Sequence, residues 1–233
     1  ALLLSLGLTS GWRAPQPAMM AGFGGFGAPK APPPTFEEVI ASFPTRLPDD
    51  VGEPCPCGKN GEAYATCCRP YHLFEKKAET AEVCLRSRYA AFYYRLPKYI
   101  ISTTSKANRD YQEDKIKWAR RLHREQMFDS FRFESLEILE QEEEEEGRVE
   151  IDMRVTLQPI DAKTKLNTQA EPMVFSERSK FKRTSKGAWL YEAGAVTSEA
   201  AGLRGRVLNG ERDLGKLQDD VGFVEGAMKI AKK

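Results

Sequence analysis

Four of the chain's five cysteines fall within fourteen residues, as Cys55, Cys57, Cys67 and Cys68. This crowding constrains the fold more than any other feature. A disulfide framework spreads its cysteines to tie distant loops together, whereas clustered cysteines in a chain of 233 residues point to a metal site. Zinc takes four thiolates in closed, tetrahedral, structural sites. Pro56 and Gly58 favour the tight turn that brings two sulfurs together. A segment this small buries too little apolar surface to fold alone, so binding Zn2+ would supply its folding energy. Four thiolates on a divalent ion leave net negative charge, which Lys59 and Arg69 are placed to offset. With no open coordination position, a structural zinc would not activate water. The competing readings are an iron–sulfur cluster, a redox disulfide, and a site in which His72 replaces Cys68. Cys84 lies in an apolar helical pattern and reads as a core residue.

The sequence divides into five stretches. Residues 1–34 contain no Asp or Glu, with a short apolar run at Leu2–Leu8 followed by Gly, Ala, Pro and Met. That composition reads as a targeting leader, signal-like and then transit-like, suiting a plastid (chloroplast) with the mitochondrion as the alternative. Residues 35–52 read as a short helix and linker, with Thr35 and Glu38 forming a capping box. Residues 53–77 hold the cysteines, 78–195 a folded domain, and 196–233 an amphipathic tail marked by Leu214, Leu217, Val221, Val224 and Met228. No apolar run reaches the roughly 18 residues a membrane helix needs.

Within 78–195 the periodicity changes. Thr80 is an N-cap, and Leu85, Tyr89, Phe92 and Leu96 share one helical face; Pro97 restarts a short helix. Asp110 with Glu113 predicts a helix opening there and running to about Met127, with Ile116, Ala119, His123 and Met127 on its apolar side. The period then becomes two. Phe131, Phe133, Leu136 and Ile138 mark a strand with a bulge near Ser135. Val149 to Leu157 alternates cleanly, Met173, Phe175, Glu177, Ser179 and Phe181 share a third strand's face, and Ser185-Lys186-Gly187 turns into a strand at Trp189–Tyr191. The acidic run Glu140–Glu146 reads as a solvated hairpin loop. Helices first and an antiparallel meander after make the fold α+β.

Specific blocks add a resemblance. Cys55-Pro-Cys-Gly with Tyr64 and the Cys67-Cys68 pair resembles the SEC-C zinc motif. Cys68-Arg-Pro-Tyr-His72, Leu85-Arg-Ser-Arg-Tyr-Ala-Ala-Phe92, Glu177-Arg-Ser-Lys-Phe181 and Trp189-Leu-Tyr191 resemble the YchJ family. The likeness covers roughly residues 53–195. It implies a SEC-C zinc knuckle joined to a cone-like nuclear-transport-factor-two-like domain of helices on a bent sheet. It also implies a protein partner, near translocation or translation machinery. The spacing between the cysteine pairs is one residue longer than the motif's. Ser102–Lys106 carries no histidine where many relatives have one.

Three functions compete. The first is a non-enzymatic, zinc-containing interaction module. The second is a small-ligand binder or enzyme using a cone pocket around Glu177. A carboxylate on an apolar strand face needs a partner or a raised pKa, which Arg86 or Arg88 would provide, with Tyr89, Trp118 and Trp189 as pocket walls. The bland form of that reading is a buried ion pair fixing strand to helix. The catalytic inventory is thin: only His72 and His123 are histidines, and no phosphate-binding glycine loop follows a strand. The third is an RNA or ribosome binder. Ala78–Gln126 has eleven Lys/Arg against six Asp/Glu, while Met127–Asp161 has three against twelve. Lys115, Lys117, Arg120, Arg121 and Arg124 concentrate positive charge on one helix. The bland alternative there is a helix facing the acidic hairpin.

Overall fold

The computed structural model describes residues 32–124, 131–145, 147–160 and 172–196. The leader's residues 1–31, the tail periodicity beyond residue 196 and Met127 lie outside them.

Local sequence decides where each helix begins. The Thr35–Glu38 capping box opens α1 (Phe36–Ala41), with both reciprocal bonds present. α2 (Arg69–His72) starts on Cys68 with a proline in its first turn. Thr80 accepts from the Val83 N–H and opens α3 (Ala81–Tyr93), and Pro97 opens α4 (Pro97–Ser102). α5 (Lys115–Arg124) differs from expectation. Asp114, not Asp110, caps it, its Oδ1 accepting from Lys117 N at 2.9 Å. Asp110 instead lies 3.9 Å from Arg121. The buried face is Trp118, Ala119 and Leu122. Aromatic packing of Trp118 against Tyr111, with ring centroids 5.5 Å apart, rotates the helix away from the predicted Ile116–His123 face.

Four strands follow: β1 (Phe131–Glu145), β2 (Arg148–Pro159), β3 (Met173–Arg183) and β4 (Trp189–Val196). They pair antiparallel in sequence order. The expected bulge lies between Phe133 and Ser135, with two more along β1. Val149, Ile151, Met153, Val155 and Leu157 of β2 are all buried beneath α3, whose Leu85, Tyr89 and Phe92 are buried in the same core. One expectation is corrected here. The acidic run is not a loop: Glu140–Glu145 extends β1 against β2, and the chain turns at Gly147 (φ 79°). β3 supplies the compensating cations. Lys180 pairs with Glu144 at 3.1 Å and with Glu150, and Arg178 grips Asp152 through two bonds of 2.8 and 2.6 Å. Segment 44–54 lies on the body of the fold, its Arg46 N–H donating to the Tyr94 carbonyl at 3.0 Å. Among the described residues no helix is long and apolar enough to cross a membrane.

The cap assignment is testable by urea denaturation. Asp114→Ala should lower stability by about 1 kcal/mol, as lost caps do. Asp110→Ala should cost less than about 0.5 kcal/mol, the usual worth of a solvated pair.

Candidate metal centre

Residues 53–68 fold around their own sulfurs. Backbone bonds from Cys55 N to Glu62 O (2.8 Å) and Tyr64 N to Glu53 O (2.8 Å) make a miniature hairpin. Its turn depends on Gly58 (φ 69°) and Gly61 (φ 68°), conformations that side chains with a Cβ rarely adopt. Gly58 N bonds Cys55 O at 3.1 Å, closing the turn that aims Cys55 and Cys57 at the same point. Cys67 and Cys68 reach that point from the start of α2.

All four sulfurs are buried and lie within 4.8 Å of one another. Cys57 and Cys67 are 3.5 Å apart, Cys67 and Cys68 3.9 Å. Ligands about 2.3 Å from a central zinc would stand about 3.8 Å apart at the tetrahedron's edges, so the donor set fits a four-coordinate ion. Crowding makes the thiols unequal. Hydrogen bonds from Cys55 and then Cys68 hold the Cys57 sulfur far below the ordinary thiol range, while Cys55 and Cys68 are pushed above it. Four thiolates repel one another at this distance. A bound divalent cation would supply the charge that lets all four ionise, closing the shell without a position for substrate.

His72 is not a fourth-ligand substitute. Its Nε2–H donates to the Ser87 carbonyl (2.8 Å), so its Nδ1 accepts from the Tyr64 hydroxyl (2.9 Å). Both nitrogens are used, and burial pushes the imidazole pKa down to about 4. The ring is therefore a neutral strut between the cysteine hairpin and α3. A second strut is Arg86, which bonds the Cys57 carbonyl at 2.9 Å and Glu82 at 2.6 Å. Its side chain thus belongs to the knuckle, far in role from the predicted Glu177 pocket. The i, i+4 spacing of Cys68 and His72 was the available sequence signal for the first strut; nothing local signalled the second.

The other predicted pocket residues also separate. Glu177 is 2% exposed, and its Oε1 accepts from Ser179 (2.6 Å) and Tyr191 (2.9 Å). Desolvation pushes its pKa up against those bonds. Arg88 lies 4.6 Å over the Tyr191 ring and donates to Ile100 O, Thr103 Oγ1 and Thr104 Oγ1. Tyr191 thus stands between the two charges that were expected to pair directly. Tyr89 packs on Phe133 at 5.2 Å, Trp118 on Tyr111, and Trp189 donates Nε1–H to Glu79 O at 3.1 Å. None of these six residues lines the cleft of ≈ 240 Å³ bounded by Arg46, Pro48, Pro56, Tyr93 and Phe133. Gly194 abuts the cluster so closely that an added Cβ would overlap Glu177 Oε1 and the Tyr191 hydroxyl. Lys115, Lys117, Arg120 and Arg124 are exposed on α5, and Arg121 is half-buried.

Comparison with known proteins places these features in a family. Residues 80–194 match the model for "YchJ, middle NTF2-like domain". A UPF0225 protein of Corynebacterium efficiens is 31% identical over 150 residues, covering 64% of this chain and 98% of its own length. A UPF0225 protein of Deinococcus radiodurans is 55% identical over 40 residues, 17% of this chain and 30% of that relative. A solution structure of a SEC-C motif containing protein from Rhodopseudomonas palustris shares 25% identity over 60% of this chain and 95% of its own, with a TM-score of 0.46.

Two outcomes follow from the struts. His72 stays neutral in the fold down to about pH 4 but would protonate near pH 6.5 when unfolded. The unfolded chain therefore binds the extra proton, and the group's stabilisation, present above pH 6.5, is lost as pH falls towards 4, by up to about 3 kcal/mol. Paired denaturation curves in matched metal should show a flatter acid limb for His72→Phe than for the wild type. Gly194→Ala should destabilise by about 1–3 kcal/mol through overpacking, read by the same denaturation.

Proposed function

The chain belongs to the YchJ family of UPF0225 proteins, and from that premise we propose that it is a non-catalytic docking protein whose zinc knuckle fixes an apolar contact point at Leu73 and Phe74. One observation carries this reading. Immediately after the metal-held helix α2, Leu73 is 48% and Phe74 47% exposed, and Phe74 adopts φ 59°. This is the left-handed position at a helix C-terminus where glycine is favoured. A bulky residue there is strained, by about 1–2 kcal/mol. About half of the ring faces solvent, and its other contacts are with Tyr99, at 5.8 Å between ring centroids, and with Lys98 Nζ, 5.4 Å over the ring. Strain retained at an exposed aromatic is the pattern of a binding anchor.

Zinc is the metal that suits the donor chemistry. A multi-iron cluster places iron and sulfide between the thiolates and spreads them apart; sulfurs in mutual contact suit a single ion. The ion closes the hairpin on α2, α2 sets the direction of Leu73 and Phe74, and the His72 and Arg86 struts hold the unit on α3. The acid-free composition of residues 1–34 supports delivery to a plastid, with the mitochondrion as the alternative. The partner is then a component of organellar translocation or translation machinery.

Affinity capture from organelle extract with quantitative mass spectrometry tests the reading. Phe74→Gly relieves the backbone strain and removes the anchor, giving up the ring's contacts with Tyr99 and Lys98, so the variant should stay folded and zinc-bound yet lose at least about tenfold of its specific partner signal, a hot-spot effect. Cys57→Ser should lose the same partners together with the metal. Identical recovery by wild type and both variants contradicts the proposal.

A further inference from the structure

The acids of the sheet that hold ion pairs hold them with strand residues, not with the basic helix expected to face them. Glu144 and Glu150 are answered by Lys180, Glu150 and Asp152 by Arg178, and Glu137 by Arg154, all within the sheet. The acids near α5 are committed as well: Asp110 lies by Arg121, Glu113 pairs with Lys106 at 3.4 Å, and Asp114 caps the helix. What remains is a set of exposed cations, Arg109, Lys115, Lys117, Arg120 and Arg124, none with an ion pair among the described residues.

Lys117, Arg120 and Arg124 lie along one face of α5, opposite Trp118, Ala119 and Leu122, and span about 10 Å at 1.5 Å per residue. We infer that this stripe binds the phosphate backbone of nucleic acid, without reading its sequence. One observation favours a phosphate polymer over an acidic protein. None of the large exposed apolar side chains, Leu47, Val51, Leu73, Phe74 and Leu139, lies on the helix, whereas a protein interface is organised around buried apolar anchors. Among the described residues beside the stripe, Tyr111 packs against Trp118, so the contact assigned to the stripe is with phosphates rather than with stacked bases. A lipid surface is disfavoured because the helix's apolar face is already buried in the core and has nothing to insert. The stripe is separate from the Leu73–Phe74 contact point and does not depend on it.

Fluorescence anisotropy with the full-length, metal-loaded protein and a labelled single-stranded RNA oligonucleotide tests the inference, with duplex RNA, duplex DNA and polyglutamate as competitors. Binding should weaken with salt, the slope of log affinity on log salt being about −3 if roughly four phosphates are engaged. Arg120→Glu with Arg124→Glu should reduce affinity at least about tenfold, and Arg120→Lys with Arg124→Lys should retain most of it. The charge-matched pair Lys182→Glu with Lys186→Glu, exposed on the β3–β4 hairpin, should change affinity less than about threefold. Circular dichroism and zinc content confirm that each variant is folded. The inference is overturned by an equal loss in both charge-reversed pairs, by salt-insensitive or undetectable binding, or by polyglutamate displacing RNA as well as nucleic acid does at equal charge. The last outcome would assign the stripe to an acidic protein.

Discussion

Four sulfur atoms held inside one small sphere are stable only if something positive sits among them. Burial denies the thiolates water, and mutual repulsion denies them simultaneous ionisation. The cysteine hairpin has almost no apolar core of its own, and its turn relies on two glycines in left-handed conformation. Its order would therefore derive from a bound ion and from the surface it leans on. Every feature assigned to the N-terminal half, from the direction of α2 to the exposed Phe74 ring, inherits that dependence.

The knuckle is joined to the domain by polar struts as well as by aromatic packing, Tyr64 on Tyr94 at 4.4 Å and His72 on Tyr99 at 4.8 Å. Tyr64, His72 and Ser87 form a chain of hydrogen bonds ending on a backbone carbonyl of α3, and the chain continues from Ser87 Oγ to the Tyr99 hydroxyl at 2.8 Å. Arg86 adds a charged bond to the Cys57 carbonyl. Such networks are costly when half satisfied, so they specify one orientation of knuckle on helix. The Glu177–Tyr191–Arg88 cluster plays a comparable part on a different face of α3. There a tyrosine separates two buried charges, and β4 is bridged to the 103–105 segment through Tyr191 N–Thr103 O and Ser105 N–Tyr191 O bonds.

Much of this was legible in the sequence because the signals were local or periodic. The capping box at Thr35, the cap at Thr80, the Pro97 restart, the bulge by Ser135 and the alternating β2 strand each depend on residues within a few positions of one another. The α+β order followed from them, and the family likeness from the Cys55–Gly58, Cys67–His72, Leu85–Phe92 and Glu177–Phe181 blocks. What escaped was decided by distant partners. Glu140–Glu145 looked like a solvated loop because its strand partner is β2 and the lysine that pairs with Glu144 lies on β3, 36 residues on. α5 was given the wrong cap and face because Tyr111 captures Trp118 from outside the helix. Arg86 and Arg88, two residues apart, lie on different faces of α3 and meet different partners, and only tertiary structure tells which meets the knuckle. The exposed pair Leu73–Phe74 gave no signal, since backbone strain has no sequence signature when the residue is not glycine.

Metal analysis with X-ray absorption at the zinc edge, on reduced protein purified without added metal, addresses the foundation directly. The account requires one zinc per chain, bound by four sulfurs at about 2.3 Å with no nitrogen or oxygen in the shell. A metal-free protein that keeps its fold, or a spectrum showing nitrogen, oxygen or iron neighbours, would contradict it.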